Sequence, residues 1–400
     1  MKTKNVVFAL CLGMVLFICG CKSNNSNEME LAPYYDIEKK TYGYIDKKGD
    51  VIIEAQYEYV LDFSDGLGCV RDVENITNED GKLPKSYKRY LWSVINKSGK
   101  YIVKKKYNYM NSYSNGVALV GMDTTDWYMT QSGEYDIKKK WGYIDKNGNE
   151  IIPLQYDWAT DFSEGLAIVK KDGKFMGIDI NGDIAFICPE IEGYPNCYFE
   201  SYFDGRAVIA IANEEFIGQG VSIWDKYGYI DKEGNIAIPL DYDAATQFCD
   251  GIARVYKNGK SIYINTKGEP IYEVNSSDEQ LYDFKYGLGI IKNKLEEGKY
   301  IVIDKNGNKI LKLQEIDHID VLKKVIFVEY NLDDSQVRVE LLDHRGEKQY
   351  EFTALKNQVN CSFNDEYIEK AGKDTNKYLT SNGDIEFEIS NKFSLVGNFN

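Results

Sequence analysis

Among the residues whose types could do chemistry, Cys188 and Cys197 come first, two thiols in one irregular segment. In an oxidising compartment such a pair could bridge. Carboxylates are abundant: 63 Asp and Glu against 48 Lys and Arg give a formal charge of −15. Pairs of them are therefore uninformative about acid–base work, although a glycosidase dyad is compatible with the composition. Histidine is scarce, with only His318 and His344, and there is no Cys-x-x-Cys pair. Zinc ligation and Cys/His catalysis are poorly supported. A Gly-x-Ser-x-Gly elbow, a His-Glu-x-x-His helix and a phosphate loop are all missing from the sequence. No catalytic residue, metal site or cofactor is expected. The acidic balance also disfavours nucleic acid as a partner.

The elements that would have to position any site are dictated by a repeat. Lys140-Trp141-Gly142-Tyr143-Ile144-Asp145-Lys146-Asn147-Gly148 is its clearest copy, with others at Tyr42–Gly49 and Tyr227–Gly234. One glycine closes an Asp-Lys-x-Gly element (Gly49, Gly99, Gly148, Gly182, Gly234, Gly268, Gly307). A second ends a Ser-x-Gly-like element (Gly66, Gly116, Gly165, Gly205, Gly251, Gly287). Their separation is 17 residues in copies one, two, three and five, and Tyr57, Tyr107, Tyr156 and Tyr242 each fall eight residues after the first glycine. Trp141–Asp145 and Glu150–Leu154 read as β-strands joined by a turn, and Gly165–Val169 as a third strand. The stretch after Tyr156 is less regular. The Asp-rich turns resemble calcium loops only superficially, because glycine comes fourth and no twelfth-position carboxylate recurs.

The expected fold is therefore all-β: tandem three-stranded β-meander repeats stacked to share a core. Copies from Asp343-His344-Arg345-Gly346 onward lose the aromatic pattern. Eroded ends favour an open curved array over a propeller-like ring, which would protect its edges by closing. The domain reading is a leader over 1–20, a flexible tether over 21–31, about seven repeats over 32–330 and degenerate repeats over 331–400.

The copies resemble the WG repeat family (also called KWG repeats), whose consensus runs close to Lys140–Lys171. The Trp is Tyr42 and Tyr227 in two copies, and the Gly is Ser93 in another. That resemblance implies a β-repeat scaffold, often at the cell envelope, with no common catalytic activity. The N-terminus carries Lys2 and Lys4 before an apolar stretch from Val6 to Gly20, too short to span a bilayer comfortably. It ends in Ile18-Cys19-Gly20-Cys21, which resembles a bacterial lipobox. By that resemblance Cys21 is the lipid-attachment residue, and losing Lys2 and Lys4 takes the charge to −17. The implied location is the bacterial cell envelope, lipid-anchored and facing outside the cytoplasm.

Function is expected where the spacing breaks. The distance from second glycine to the next first glycine is 17 residues at its minimum, but 33, 32 and 29 after Gly66, Gly116 and Gly205. Three insertions thus enter at one point of the repeat and should leave on one face. The second carries Trp127 and Tyr128, the third Phe216 and Trp224. These four are the candidate ligand contacts. The expected function is a non-catalytic binding or scaffold module with an envelope protein, peptide or glycan as partner. The alternatives are a glycan-acting enzyme using carboxylates near the inserted loops, or a passive surface spacer.

Overall fold

The computed structural model describes residues 30–77, 86–129, 135–194, 196–212, 225–274, 279–356, 359–360, 368–371, 375–379, 385–390 and 393–395. These contain strands and no α-helix. Sheet 1 holds β1 (Leu31–Asp36), β2 (Thr41–Asp46) and β3 (Val51–Tyr57). Sheet 2 holds β4 (Tyr59–Val60), β5 (Leu67–Thr77), β6 (Ser86–Asn96) and β7 (Tyr101–Tyr107). Sheet 3 holds β8 (Tyr109–Met110), β9 (Val117–Met129), β10 (Tyr135–Asp145) and β11 (Glu150–Tyr156). Sheet 4 holds β12 (Trp158–Ala159), β13 (Ala167–Lys171), β14 (Lys174–Ile178) and β15 (Ile184–Ile187). Sheet 5 holds β16 (Asn196–Phe199), β17 (Ala207–Ala212), β18 (Lys226–Ile230) and β19 (Ile236–Tyr242). Sheet 6 holds β20 (Ala244–Ala245), β21 (Ile252–Lys257), β22 (Lys260–Asn265) and β23 (Pro270–Glu273). Sheet 7 holds β24 (Glu279–Leu281), β25 (Leu288–Asn293), β26 (Tyr300–Asp304) and β27 (Lys309–Leu313). Sheet 8 holds β28 (His318–Val321), β29 (Ile326–Asn331), β30 (Gln336–Leu342) and β31 (Lys348–Leu355), and so runs across residue 330 without a break. Sheet 9 holds β32 (Val359–Asn360), β33 (Ile368–Ala371), β34 (Thr375–Leu379) and β35 (Ile385–Ser390). A last strand, β36 (Phe393–Leu395), joins sheet 1 beside β1.

The unit is thus a four-stranded antiparallel meander rather than the three-stranded one expected. The extra strand hides in the stretch after each tyrosine. It is only two residues long in sheets 2, 3, 4 and 6, as where Tyr59 and Val60 pair with Arg71 and Val70. Because neighbours alternate in direction, the first-to-second and third-to-fourth connections share one end of the molecule. Second-to-third connections and the crossings to the next sheet share the other.

Both repeated glycines sit in turns at the first end. In the Asp-Lys-x-Gly turn, the Asp46 carboxylate accepts from the Lys48 and Asp50 amides at 2.9 and 3.0 Å. Asp145, Asp231 and Asp304 do the same. These aspartates cap their own turns, as an Asx turn requires. The glycine that follows takes φ near +80°. It also packs on the preceding sheet: a Cβ on Gly148 would lie 2.3 Å from Val103, and one on Gly234 2.3 Å from Phe186.

The second glycine follows a residue that is also left-handed, as in Asp65 (φ 55°) and Gly66 (φ 80°), which makes a two-residue hairpin turn of the primed type. Each such turn is tied to the next sheet. The Asp65 carboxylate accepts from the Gly116 amide at 2.8 Å, Glu164 from Gly205 at 3.0 Å, and Asp204 from Gly251 and Asp250 from Gly287 at 2.8 Å.

The glycine of the Trp-Gly pair has a different reason. The fourth strand bulges opposite it, bringing backbone so close that a Cβ on Gly142 would be 2.5 Å from the Ile152 carbonyl oxygen. Gly43 and Gly228 meet the equivalent backbone at 2.4 and 2.6 Å. The tyrosine after it is fully buried and turns its hydroxyl to the next sheet: Tyr143 donates to the Thr160 carbonyl at 2.6 Å and Tyr229 to Thr246 at 2.8 Å. Tyr57, Tyr107 and Tyr156 are likewise buried in the shared core.

The preference for an open array is overturned at the chain end. β36 pairs with β1 through Tyr34–Leu395, Tyr35–Ser394 and Asp36–Phe393. Tyr378 of sheet 9 packs into the same cluster as Ala32, Tyr34, Ile45 and Ala55 of sheet 1. The nine sheets therefore form a propeller-like ring, and the last strand supplies the edge that β1 would otherwise expose. β1 itself begins at Leu31, fully buried at the end of the expected tether.

Candidate binding face

All three insertions lie between the second and third strands, in sheets 2, 3 and 5, and so leave from the same end. The first two prolong existing strands instead of adding new ones. β5 and β6 stay paired from Leu67–Asn96 out to Thr77–Ser86. β9 and β10 stay paired out to Met129–Tyr135. In sheets 4 and 6 the same connection is a two-residue turn, Asp172-Gly173 and Asn258-Gly259, both left-handed. Trp127 and Tyr128 are on the backbone ladder of β9, opposite Ile137 and Asp136. Phe216, Trp224 and Cys21 lie outside the described residues.

At the base of the hairpins is a feature that spacing alone did not reveal. Tyr59, Arg71 and Trp92 stand side by side on β4, β5 and β6. The Arg71 guanidinium lies 4.8, 4.4 and 5.6 Å from the ring centroids of Tyr59, Tyr90 and Trp92. Glu58 accepts from it at 2.7 and 2.9 Å. Cation–π contact and ion pairing together fix this long side chain. Sheets 3, 4 and 5 repeat the row with Tyr109–Gly121–Trp141, Trp158–Lys170–Phe175 and Tyr198–Ala210–Tyr227. With glycine in the middle, Tyr109 and Trp141 close to 4.6 Å. Sheet 6 breaks the pattern with Ala244–Tyr256–Ser261. The signal in the sequence was the Trp/Tyr beside each repeat glycine, which serves packing and also lines this face. Half-exposed rings such as Tyr59 and Tyr90 suit stacking on a planar or sugar-like group.

Between sheets 3 and 4, the Asn111 amide donates to the Asp161 carboxylate at 2.7 Å. Asp161 is densely enclosed although part of it meets solvent. Burial pushes its carboxyl from the ordinary 3.8 up to about 6, against the pull of Asn111. Between those two values only the folded chain holds the proton. The stability from this group is therefore complete below the ordinary value and is lost as pH rises through about 6. Asp161→Asn is expected to be more stable than the parent at pH 7.5, with the difference vanishing toward pH 4. Urea midpoints measured across that range check this, and parallel profiles for the two chains would contradict it.

Cys188 and Cys197 are free thiols that line one cavity of about 500 Å³ beneath the short Asp172-Gly173 turn, together with Phe175, Ile191 and Tyr194. Burial pushes the Cys188 thiol up to about 12 and raises Cys197 as well. Among the described residues no three His, Cys, Asp or Glu side chains group as metal ligands.

The family described as "WG containing repeat" matches residues 42–72, 92–123, 141–175 and 227–260. No curated protein sequence matches the chain. Among solved structures, a eukaryotic initiation factor aligns over 93% of this chain and 98% of its own at 10% identity, with a TM-score of 0.57. At that identity the likeness is one of fold. AztD from Citrobacter koseri in its apo form aligns over 93% and 97% at 12% identity, with a TM-score of 0.38. Each matched segment starts on the third strand of sheet 1, 2, 3 or 5, passes the bulged fourth strand and continues into the first two strands of the next sheet. The family's unit therefore straddles two sheets of the ring, with the Trp-Gly position and its bulge at the start: the chain carries WG-containing repeats at these four places.

Proposed function

We propose that this protein is a non-catalytic, lipid-anchored module of the bacterial cell envelope, facing outside the cytoplasm, which binds a partner on its hairpin face. The observation that carries the reading is the common exit of the three insertions above a row of aromatic side chains. The fold needs none of that length, since sheets 4 and 6 make the same connection with two residues. Cys21 would hold the membrane through its acyl chain, because an acidic exterior repels anionic headgroups. Trp127, Tyr128, Phe216 and Trp224 remain the proposed contacts on the insertions, and Tyr59, Tyr90 and Arg71 join them at the base. The partner class is an envelope protein, peptide or glycan.

Two measurements test this. Cys21→Ala should move the protein from the membrane to the soluble fraction; retention in the membrane would remove the anchor from the proposal. Each long hairpin can be cut back to an Asp-Gly turn like that of sheet 4. Shortened and parent proteins would then be compared for capture of envelope extract. Loss of captured species on shortening is expected. If every species is retained, the hairpin face is not the binding surface and the spacer reading takes its place.

A further inference from the structure

The last strand of every sheet is an edge, and edges invite pairing with another chain. Eight of the nine carry a charged residue or a proline within the strand. Exposed Lys104 and Lys106 guard β7, and exposed Pro153, Pro239, Pro270 and Lys312 guard β11, β19, β23 and β27. Lysine disfavours stacking of strands, and proline removes a donor from the ladder. β15 is the exception. It reads Ile184-Ala185-Phe186-Ile187, with Ile184 59% and Ile187 55% exposed and Ala185 also at the surface. Phe186 alone is occupied, wedged over Gly177 and Gly234. Ile180, in the preceding turn, is 37% exposed.

Two further observations say what would lie there. β15 runs directly into the 500 Å³ cavity, of which Ile187 is itself a wall, so an added strand would deliver a side chain to a recess where Phe175, Cys188 and Ile191 stand beside Lys174 and Glu190. The strand is also bracketed by exposed carboxylates, Asp183 before it and Glu190 and Glu192 after it. We infer that β15 accepts an extended apolar peptide flanked by basic residues, which adds to sheet 4 as a fifth strand. Backbone hydrogen bonds supply the affinity, the cavity selects one apolar side chain, and the acidic ends select the flanks. β15 and its cavity take no residue from the long hairpins, so cutting those back leaves their side chains in place.

The probe is a fluorescein-labelled peptide of alternating valine and threonine with paired lysines at both ends, titrated with the full chain and read by anisotropy. Ile184→Lys with Ile187→Lys should weaken binding by about tenfold or more, whereas Ile236→Lys on β19 should leave it unchanged. Glu190→Lys with Glu192→Lys changes two exposed side chains, the first of them at the cavity wall, and should transfer the preference to the same peptide with glutamates at its ends. Failure of the parent protein to bind, or equal binding by the β15 double variant, overturns the inference. So does a dimer, seen by light scattering, that β15 lysines dissolve, because the occupant would then be a second copy.

Discussion

Gly142→Ala is expected to lower stability by about 3 kcal/mol or more, at the upper end of what a single methyl group does. The added Cβ would meet backbone on two residues, the Ile152 oxygen at 2.5 Å and Pro153 at 2.8 Å. Backbone cannot rotate aside as a side chain can, so the bulge of β11 would have to unfold or shift. That bulge forms the contact between β10 and the strand leading into sheet 4, and damage there would spread to the neighbouring core. Gly165→Ala provides the contrast. Its φ is +87°, but a methyl group added there would meet open space out to 4 Å. Only left-handed strain acts at that position, roughly 1–2 kcal/mol. Urea titrations of both variants should separate them clearly. Equal losses would mean that turn conformation, and not the bulge, fixes the glycines.

Removing residues 393–400 takes away β36 and is expected to cost about 2–3 kcal/mol, given roughly 1 kcal/mol net per ladder hydrogen bond. Removing only 396–400 keeps the three pairings of β36 with β1 and should be silent. The longer truncation also uncovers the edge at Tyr34–Asp36, so self-association should appear in light scattering alongside the lower urea midpoint. If the two truncations behave alike, the closing strand contributes nothing and the ring is held by the packing of Tyr378 on Tyr34 and Ala55 alone.

Much of this architecture was readable because its turns are chemically demanding. Two adjacent left-handed residues, or an aspartate capping its own turn before a glycine, restrict residue type strongly enough to mark every repeat. What stayed hidden was short. Tyr59–Val60 and Ala244–Ala245 are strands of two residues, too brief for any alternation to show, and β36 has three. Closure depends on those few residues, so the eroded end of the chain pointed toward an open form. The insertions were visible from glycine spacing, as was their common face. Arg71 was not, because its three aromatic neighbours and Glu58 come from segments spread between residues 58 and 92 and converge only across paired strands. The exceptional character of β15 becomes legible only once all nine last strands can be laid side by side.

The distribution of long hairpins gives the molecule a front and a back. With nine sheets in a ring, each occupies a sector of about 40°. The two described hairpins rise on the neighbouring sheets 2 and 3, and the third insertion joins the second and third strands of sheet 5 at the same end, so all three fall within less than half of the rim. Sheet 4, with its two-residue turn, drops away beside the hairpin of sheet 3, and the thiol-lined cavity lies beneath that turn. A partner approaching this protein meets a rim that the paired strands of sheets 2 and 3 raise on one side.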